Sequence, residues 1–307
     1  MPKLYKSVLM CELFQPIQTE EKRIIETSKI IAGSGNHHML EIAPLLQKDS
    51  QVEFRNLIEK NNMYSLVWAA HVLWAENLNA LSSLDSSLRE KAIKRCIDLI
   101  NVSVEMGSTY LGLPTGDDVG SALRPDGIKA LTDSVNRLAE IAEKYNLLLL
   151  VEPMDRYVHK KAIIGPIDEA VDWIKEVRKE SDNVFLHWDS GHEVLGDIGY
   201  LESLRIAKDY FASFHLANAI LDKSHPCFGD WHMDVGQAPD FATEGYLTVE
   251  VGAEILKEVA SYPELDKNPF VHVSMEVRSH MGDDMWHKFE TSEKYLDECF
   301  KRAGLEC

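Results

Sequence analysis

The sequence VFLHWDSGHEV, residues 184–194, places two residues that can hold metals or move protons, Asp189 and His192, directly behind an apolar run. The run is short and rich in β-branched and aromatic residues, which predicts a buried strand. Gly191 allows a sharp turn between the two polar residues. The stretch therefore predicts a buried strand whose carboxyl end presents an aspartate and a histidine.

Similar short apolar runs recur along the chain, and amphipathic helical stretches separate them. The eight predicted strands are 7–13, 38–43, 65–71, 109–114, 147–153, 184–189, 211–217 and 271–277. The clearest helical patterns lie at 87–107, 130–145, 167–180 and 288–304. Strands that alternate with helices predict a parallel sheet. Eight such units predict a single α/β domain over residues 1–307, a (β/α)8 TIM barrel with a parallel eight-stranded sheet.

A doubly wound open sheet is the rival fold. No G-x-G-x-x-G follows the first predicted strand, and polar residues fall at many strand ends rather than at one switch point. The barrel is therefore favoured. Residues 218–246 follow neither helical nor strand periodicity and predict a long loop. Its aromatic residues and histidines make it a candidate functional segment.

Composition limits the classes of partner. The chain has 307 residues, 45% of them hydrophobic, and a net charge of -18. A surface this acidic argues against a nucleic-acid partner. The cysteines are scattered and form no CxxC, which fits a reducing cytosol. The first apolar run is too short for a signal sequence or a membrane span, so we expect a cytoplasmic protein with no membrane contact.

Four consecutive predicted strands, the fifth to the eighth, end at Glu152, Asp189, His215 and Glu276. Because all strands of a barrel open on the same face, we expect these side chains to converge there. Singly, each has an ordinary alternative, as a helix cap or a hydrogen-bonded core residue. Together, three carboxylates and one imidazole without cysteine suit one divalent metal ion, with Mn²⁺ preferred over Mg²⁺, Co²⁺ or Zn²⁺.

Four stretches carry a resemblance to a known family: VEPMDRY (151–157), HWDSGH (187–192), FHLAN (214–218) and SMEV (274–277). They resemble the xylose-isomerase-like TIM barrels of the sugar isomerase and epimerase superfamily. VEPMDRY is similar to the E-P-x-N-R-Y pattern of ketose 3-epimerases. The resemblance implies that Glu152, Asp189, His215 and Glu276 bind one divalent metal ion. It also implies that Glu152 and Glu276 form the acid–base pair and that His192 binds substrate.

Departures from the family pattern bear on the substrate. Ketose 3-epimerases carry an arginine soon after the strand-seven histidine, where this chain reads NAILDKS (218–224), and a second glutamate where it has Val158. A keto-glycoside, an oxidised sugar or an inositol derivative therefore fits better than a simple ketohexose. An apurinic endonuclease (AP endonuclease 2 type) of the same superfamily has a D-x-H pair like Asp230 and His232. It also has a histidine where this chain has Leu113, and the acidic charge further disfavours DNA.

We expect a sugar epimerase or isomerase that abstracts a proton next to a carbonyl and forms a metal-stabilised enediolate. Further candidates for substrate binding are His71, His232, Arg278 and Trp231. An elimination would need an extra acid or anion contact, and the candidates for it are His71, His159, Lys160, His232 and Arg278. The alternatives are a lyase of the inosose-dehydratase or oxidised-C-glycoside type and a sugar-binding barrel without turnover. The expected partner is a small carbohydrate, and the expected assembly is a homo-oligomer, with a heteromer as the alternative.

Overall fold

The apolar runs form β-strands in a computed structural model, which describes residues 3–236 and 244–306. Most strands are buried on both faces, as parallel strands covered by helices must be. The strands of the described residues are β1 (Lys3–Leu9), β2 (Met39–Ile42), β3 (Tyr64–Trp68), β4 (Tyr110–Pro114), β5 (Leu148–Glu152), β6 (Val184–Asp189), β7 (Phe211–Ile220), β8 (Gly229–Met233) and β9 (Phe270–Glu276).

Eight of these strands pair in parallel and close into a barrel. Strands β1 to β7 follow one another around the ring, and β9 lies between β7 and β1. On one side of β9, Lys3 pairs with Phe270; on the other, Ala217 pairs with Glu276. The (β/α)8 TIM barrel predicted from the sequence is confirmed.

The helices surround the barrel with their apolar faces turned inward. In the helix over Ile167–Val177, for example, Ala170, Val171 and Ile174 are buried, whereas Asp172 is exposed. The helices of the described residues are α1 (Met10–Leu13), α2 (Glu21–Ser34), α3 (Lys48–Lys60), α4 (Ala70–Ala75), α5 (Ser86–Glu105), α6 (Arg124–Glu143), α7 (Ile167–Val177), α8 (Ser190–Glu193), α9 (Tyr200–Ala207), α10 (Val249–Ala260) and α11 (Met285–Ala303).

Local signals set several helix ends. The carboxylate of Asp85 accepts hydrogen bonds from the backbone N–H groups of Ser87 and Leu88 at the start of α5. At the end of α11, Gly304 has a φ of 72°, the left-handed conformation that glycine adopts without strain.

Two apolar clusters support the barrel. The larger one fills the layer between strands and helices, and it includes Leu138 of α6 and Ile174 of α7. The smaller one fills the inside of the barrel with side chains such as Trp68, Tyr110 and Phe185. The interior is therefore packed rather than open, although a few buried polar side chains such as Glu41, His187 and His272 also lie within its strands.

Two segments differ from the expected order. The first strand ends at Leu9 rather than at residue 13, because the apolar run continues into the buried helix α1. Periodicity cannot separate a buried strand from a buried helix within so short a run. The expected loop 218–246 contains β8, which pairs antiparallel with β7. Residues 237–243 of that loop lie outside the described residues.

None of the helices in the described part of the chain combines the length and apolar character that crossing a membrane requires.

Candidate metal centre

The four predicted metal ligands meet at the carboxyl-terminal rim of the barrel. Glu152, Asp189 and Glu276 are the last residues of their strands, and His215 pairs with Asp189 across β6 and β7. Each of the four is buried and offers one ligand atom within 4.8 Å of the others. Protein oxygen and nitrogen ligands lie roughly 2.0–2.6 Å from a divalent cation, so opposite ligands are roughly 4–5 Å apart. The cluster therefore has the size of a single cation site.

Three of the ligand atoms have no hydrogen-bond partner among the described residues: Asp189 Oδ2, His215 Nδ1 and Glu276 Oε2. His215 Nδ1 lies 3.8 Å from Asp189 Oδ2 and 3.5 Å from Glu276 Oε2. Unpartnered buried polar atoms are rare in folded proteins. Here three such atoms face one another, and they belong to carboxylates and one imidazole. This set of ligands fits a hard or borderline divalent cation.

The electrostatics of the cluster point the same way. Burial, and next the charge of Glu276, raise the pKa of Glu152 to about 8. Burial and the same neighbour raise the pKa of Asp189 well above its ordinary value. Burial also acts to raise the pKa of Glu276, but His232 and His215 outweigh it and lower that pKa well below the ordinary value. The protein alone does not accommodate all three negative charges, and a cation would relieve their repulsion.

A buried carboxylate on β2 orients the histidine ligand. His215 Nε2 lies 2.8 Å from Glu41 Oε2, which leaves Nδ1 facing the cluster. Glu41 is fixed in turn by hydrogen bonds from Trp68 Nε1 (2.9 Å) and Ser274 Oγ (2.8 Å). A Cβ atom at Gly112 would lie 2.3 Å from the Trp68 ring, so only glycine lets this indole reach the carboxylate. A metal-binding histidine commonly has such a second hydrogen bond.

A cavity opens beside the cluster, lined by Glu152, His215 and Glu276 and by all three predicted substrate-binding histidines, His71, His192 and His232. His192 Nε2 lies 3.9 Å from Glu152 Oε1, and its Nδ1 lies 3.7 Å from Asp230 Oδ2. His232 Nδ1 lies 3.1 Å from Glu276 Oε1, and its Nε2 lies 3.4 Å from Asp230 Oδ2. Burial lowers the pKa of His192 to about 4, so it is neutral at pH 7 and can donate one hydrogen bond and accept another.

His71 and Arg278 converge on a third glutamate, Glu12. The distance from His71 Nε2 to Glu12 Oε1 is 3.3 Å, and Arg278 donates two hydrogen bonds to the same carboxylate, at 2.5 and 3.0 Å. Burial acts to raise the pKa of Glu12, but His232 and Arg278 outweigh it and lower that pKa to about 2. His71 lines the cavity from α4 and not from the end of β3, because β3 ends at Trp68.

Two of the predicted substrate-binding residues, Trp231 and Arg278, do not line this cavity and lie along a neighbouring pocket instead. Along β8, Asp230 and His232 are buried, and Trp231 between them is 54% exposed. Its ring centroid lies 4.5 Å from that of His159. The cavity has Trp74 in its wall instead. Substrate binding by Trp231 stays a prediction that its position does not favour.

The predicted metal ligands and substrate-binding residues leave out three buried residues of this site: Glu12, Glu41 and His187. The strand-end pattern places Glu41 at the end of the second strand but gives it no role. Glu12 follows β1, and Glu41 lies one residue before the end of β2, so a carboxylate at the end of an apolar run was the available signal. His187 lies inside β6 within reach of Glu152 and His215, and neither of its ring nitrogens has a hydrogen-bond partner among the described residues. Its signal was a polar residue inside a buried run.

Comparisons with known proteins identify the family of the chain. The model of a family described as the xylose isomerase-like TIM barrel matches residues 31–251, well over half of the chain. A comparison with curated protein sequences finds no match.

Solved structures share the fold at low sequence identity. An L-ribulose 3-epimerase is 13% identical, with 98% of this chain and 97% of that chain covered and a TM-score of 0.71. The 3-keto-D-glucoside 4-epimerase YcjR from E. coli is 14% identical, with 99% and 100% covered and a TM-score of 0.62. An IOLI protein with a binding zinc atom is 16% identical, with 90% and 93% covered and a TM-score of 0.65. By its family match and its closed barrel, this chain belongs to the xylose isomerase-like TIM barrel family.

Proposed function

We propose that this protein is a divalent-metal-dependent sugar epimerase or isomerase that acts on a keto-sugar or keto-glycoside. One observation carries the proposal: a buried cluster able to hold one cation includes two glutamates, Glu152 and Glu276. A site that only binds sugar has no need of two potential bases in such a cluster. The structural neighbours named as sugar epimerases support the same class of reaction.

The two glutamates fit the transfer of a proton next to a carbonyl. A bound divalent cation would polarise the substrate carbonyl and make the neighbouring C–H bond more acidic. Glu152 and Glu276 approach from β5 and β9, with two other strands of the ring between them. One carboxylate removes the proton, and the other returns a proton to the opposite face, which inverts the carbon. Return of the proton to the neighbouring carbon gives an isomer instead.

His192 and His232 supply hydrogen bonds to the substrate. Both are buried residues of the cavity wall, on either side of Asp230. His192 lies next to Glu152 and His232 next to Glu276, so each histidine can bind an oxygen close to one of the proposed acid–base groups. Oriented in this way, the substrate places its reacting C–H bond between the two carboxylates.

A keto-glycoside is the preferred substrate within this class. The chain has Val158 in place of the second glutamate and no arginine in the NAILDKS stretch, two groups with which ketose 3-epimerases hold a free ketose. The name of one structural neighbour, a 3-keto-D-glucoside 4-epimerase, supports this choice. For the metal, Mn²⁺ suits the carboxylate majority, and the zinc in the IOLI protein makes Zn²⁺ the principal competitor.

Hydrogen exchange tests the proposal directly. The Mn²⁺-loaded protein is incubated in D₂O with D-fructose and with methyl 3-keto-D-glucoside, and deuterium at each carbon is followed by NMR. We expect the metal-loaded protein to incorporate deuterium at the carbon next to the carbonyl, and we expect no incorporation after the metal is removed. The absence of exchange with every keto-sugar of a broad panel would favour a sugar-binding protein over an enzyme.

A lyase reaction is the second candidate, because groups able to protonate a leaving oxygen surround the cavity. His71, Lys160 and His232 all contribute to its wall. An elimination begins with the same proton abstraction but then breaks a C–O or C–C bond. Release of an alcohol or water with formation of an unsaturated ketone would identify it, whereas an epimerase returns the same bonds with inverted configuration.

A further inference from the structure

The loop that follows β5, residues 153–166, holds Lys160 over the cavity. The carboxylate of Asp155 accepts hydrogen bonds from the backbone N–H groups of Val158 (2.7 Å), His159 (2.8 Å) and Lys160 (3.0 Å). These bonds fold the segment into a tight turn around a buried side chain. The turn fixes the direction in which the Lys160 side chain leaves the backbone.

Contacts outside the turn hold the same loop to the barrel. Arg156 donates two hydrogen bonds to Glu169 of α7, at 2.8 and 2.7 Å. The backbone N–H of Asp118 donates to the carbonyl of Lys161 at 2.9 Å. Lys161 has a φ of 50°, a conformation that a non-glycine residue keeps only when its surroundings impose it. The loop is therefore a rigid support and not a free surface turn.

The Lys160 ammonium group has unused hydrogen-bonding capacity inside the cavity. Its Nζ lies 3.2 Å from His232 Nε2 and 5.5 Å from the centre of the Trp74 ring. Among the described residues, no carboxylate lies within ion-pair distance of it, although Glu152 and Glu276 line the same cavity. A lysine ammonium has three N–H donors, and His232 occupies one of them.

We propose that Lys160 binds a neutral oxygen of the substrate, a hydroxyl or glycosidic oxygen at the end of the sugar away from the cation. This inference rests on the proposed function and names a residue that determines its specificity. His232 separates Lys160 from Glu276, so the ammonium group faces the part of a sugar that the cluster itself does not reach. Trp74 offers an aromatic surface beside it, on which a sugar ring can pack.

The surroundings of Lys160 decide between a neutral oxygen and an anion. Three glutamates, Glu12, Glu152 and Glu276, line the cavity, and buried Asp230 lies against two of its histidines. An added carboxylate or phosphate would meet their negative field at short range. A neutral hydroxyl or ether oxygen accepts a hydrogen bond from the Lys160 ammonium group without that repulsion.

Calorimetric binding measurements on the Mn²⁺-loaded full chain test the inference. The probes are D-fructose as a free ketose, methyl 3-keto-D-glucoside as a glycoside, and D-fructuronate as an anionic analogue. Lys160→Met keeps the apolar stem and removes the charge. Lys161→Met is the matched control: it is the same substitution at the neighbouring lysine, which is exposed and does not line the cavity.

For Lys160→Met we expect the Kd of the neutral sugar that binds best to rise about tenfold or more, because hydrogen bonds to charged donors contribute that much. Lys161→Met should stay within about twofold of the parent, and Lys160→Arg should recover part of the affinity. Thermal unfolding and Mn²⁺ affinity should not change in either methionine variant, which separates lost binding from lost structure.

Several results would overturn the inference: equal Kd values for Lys160→Met and the parent, the same loss in Lys161→Met, or no binding of either neutral sugar. Tightest binding of D-fructuronate, with its advantage lost in Lys160→Met, would identify an anion site instead. Deuterium exchange distinguishes the two proposals. Exchange without any effect of Lys160→Met refutes only the role of the lysine, and lysine-dependent binding without exchange refutes only the enzymatic function.

Discussion

At the scale of single residues, Glu152 and Glu276 are expected to carry the proton transfers. Replacement of either by glutamine keeps an oxygen that can bind a metal but removes the group that accepts a proton. We expect Glu152→Gln and Glu276→Gln to slow deuterium exchange into the keto-sugar by roughly 10²–10⁴-fold. Glu193→Gln, a change at a buried glutamate outside the cluster, is the control and should exchange at the parental rate. Parental exchange in either cluster variant would refute the acid–base assignment.

Glu41 should affect the metal without touching it. It holds Nε2 of His215, and its replacement by glutamine removes the charge that stabilises this orientation. We expect Glu41→Gln to weaken Mn²⁺ binding roughly 10–100-fold, measured by competition with a chelator. Glu21→Gln is a matched control, because Glu21 is also buried but binds the backbone N–H groups of Leu46 and Gln47. Equal metal affinity in both variants would mean that Glu41 is only structural.

The sequence predicts some residues of the site and not others for a physical reason. Glu152, Asp189 and Glu276 end apolar runs, and a barrel brings strand ends together whatever the details of packing. The hydrogen bond between Glu41 and His215 depends on which side chains fill the barrel interior. Neither the sequence around Glu41 nor that around His215 indicates this packing. Lys160 likewise reaches the cavity only through the fold of its loop. Contacts between distant segments are therefore what the sequence alone left open.

At the scale of elements, α8 contains a buried acid with a consequence for stability. Burial raises the pKa of Glu193 to about 8; the hydrogen bond from Ser203 opposes this shift and Asp168 adds to it. Because this folded-state pKa lies above the unfolded value of about 4.3, the protonated group contributes its full stabilisation below about pH 4.3. The contribution is then lost as pH rises through about 8. The parent protein should therefore lose stability through this residue across that range.

Glu193→Gln should remove this pH dependence, because the amide stays neutral and can still accept from Ser203. Between pH 5 and 9 we expect the parent to lose roughly 4 kcal/mol of unfolding free energy relative to the variant, because the two titrations are roughly three pH units apart within this range. Denaturant unfolding at a series of pH values measures the difference. Glu202→Gln on the exposed side of α9 should follow the parent at every pH. A constant difference between Glu193→Gln and the parent would contradict the prediction.

The elements themselves were predictable where a run was bounded by polar residues. β6 spans 184–189 as expected, since Asp189 ends the apolar run sharply. β1 differs because its apolar run continues into α1, and β8 was missed because a short antiparallel strand of mixed polarity shows no clear period. Pairing with β7 stabilises β8, so its existence depends on a partner distant along the chain.

At the scale of the whole molecule, the cation couples the cluster to the stability of the closed barrel. β9 brings Glu276 beside β7 and also closes the ring against β1, so strands that must pair also bring like charges together. The raised pKa values of Glu152 and Asp189 reflect the repulsion between these charges.

We expect saturating Mn²⁺ to raise the unfolding temperature by roughly 5 °C over protein treated with EDTA, since a ligand at 100 times its Kd stabilises the native state by about 2.7 kcal/mol. Asp189→Asn removes one ligand charge, so its unfolding temperature should be nearly insensitive to Mn²⁺. A parental response in that variant, or no response in the parent, would show that the cluster does not bind the cation.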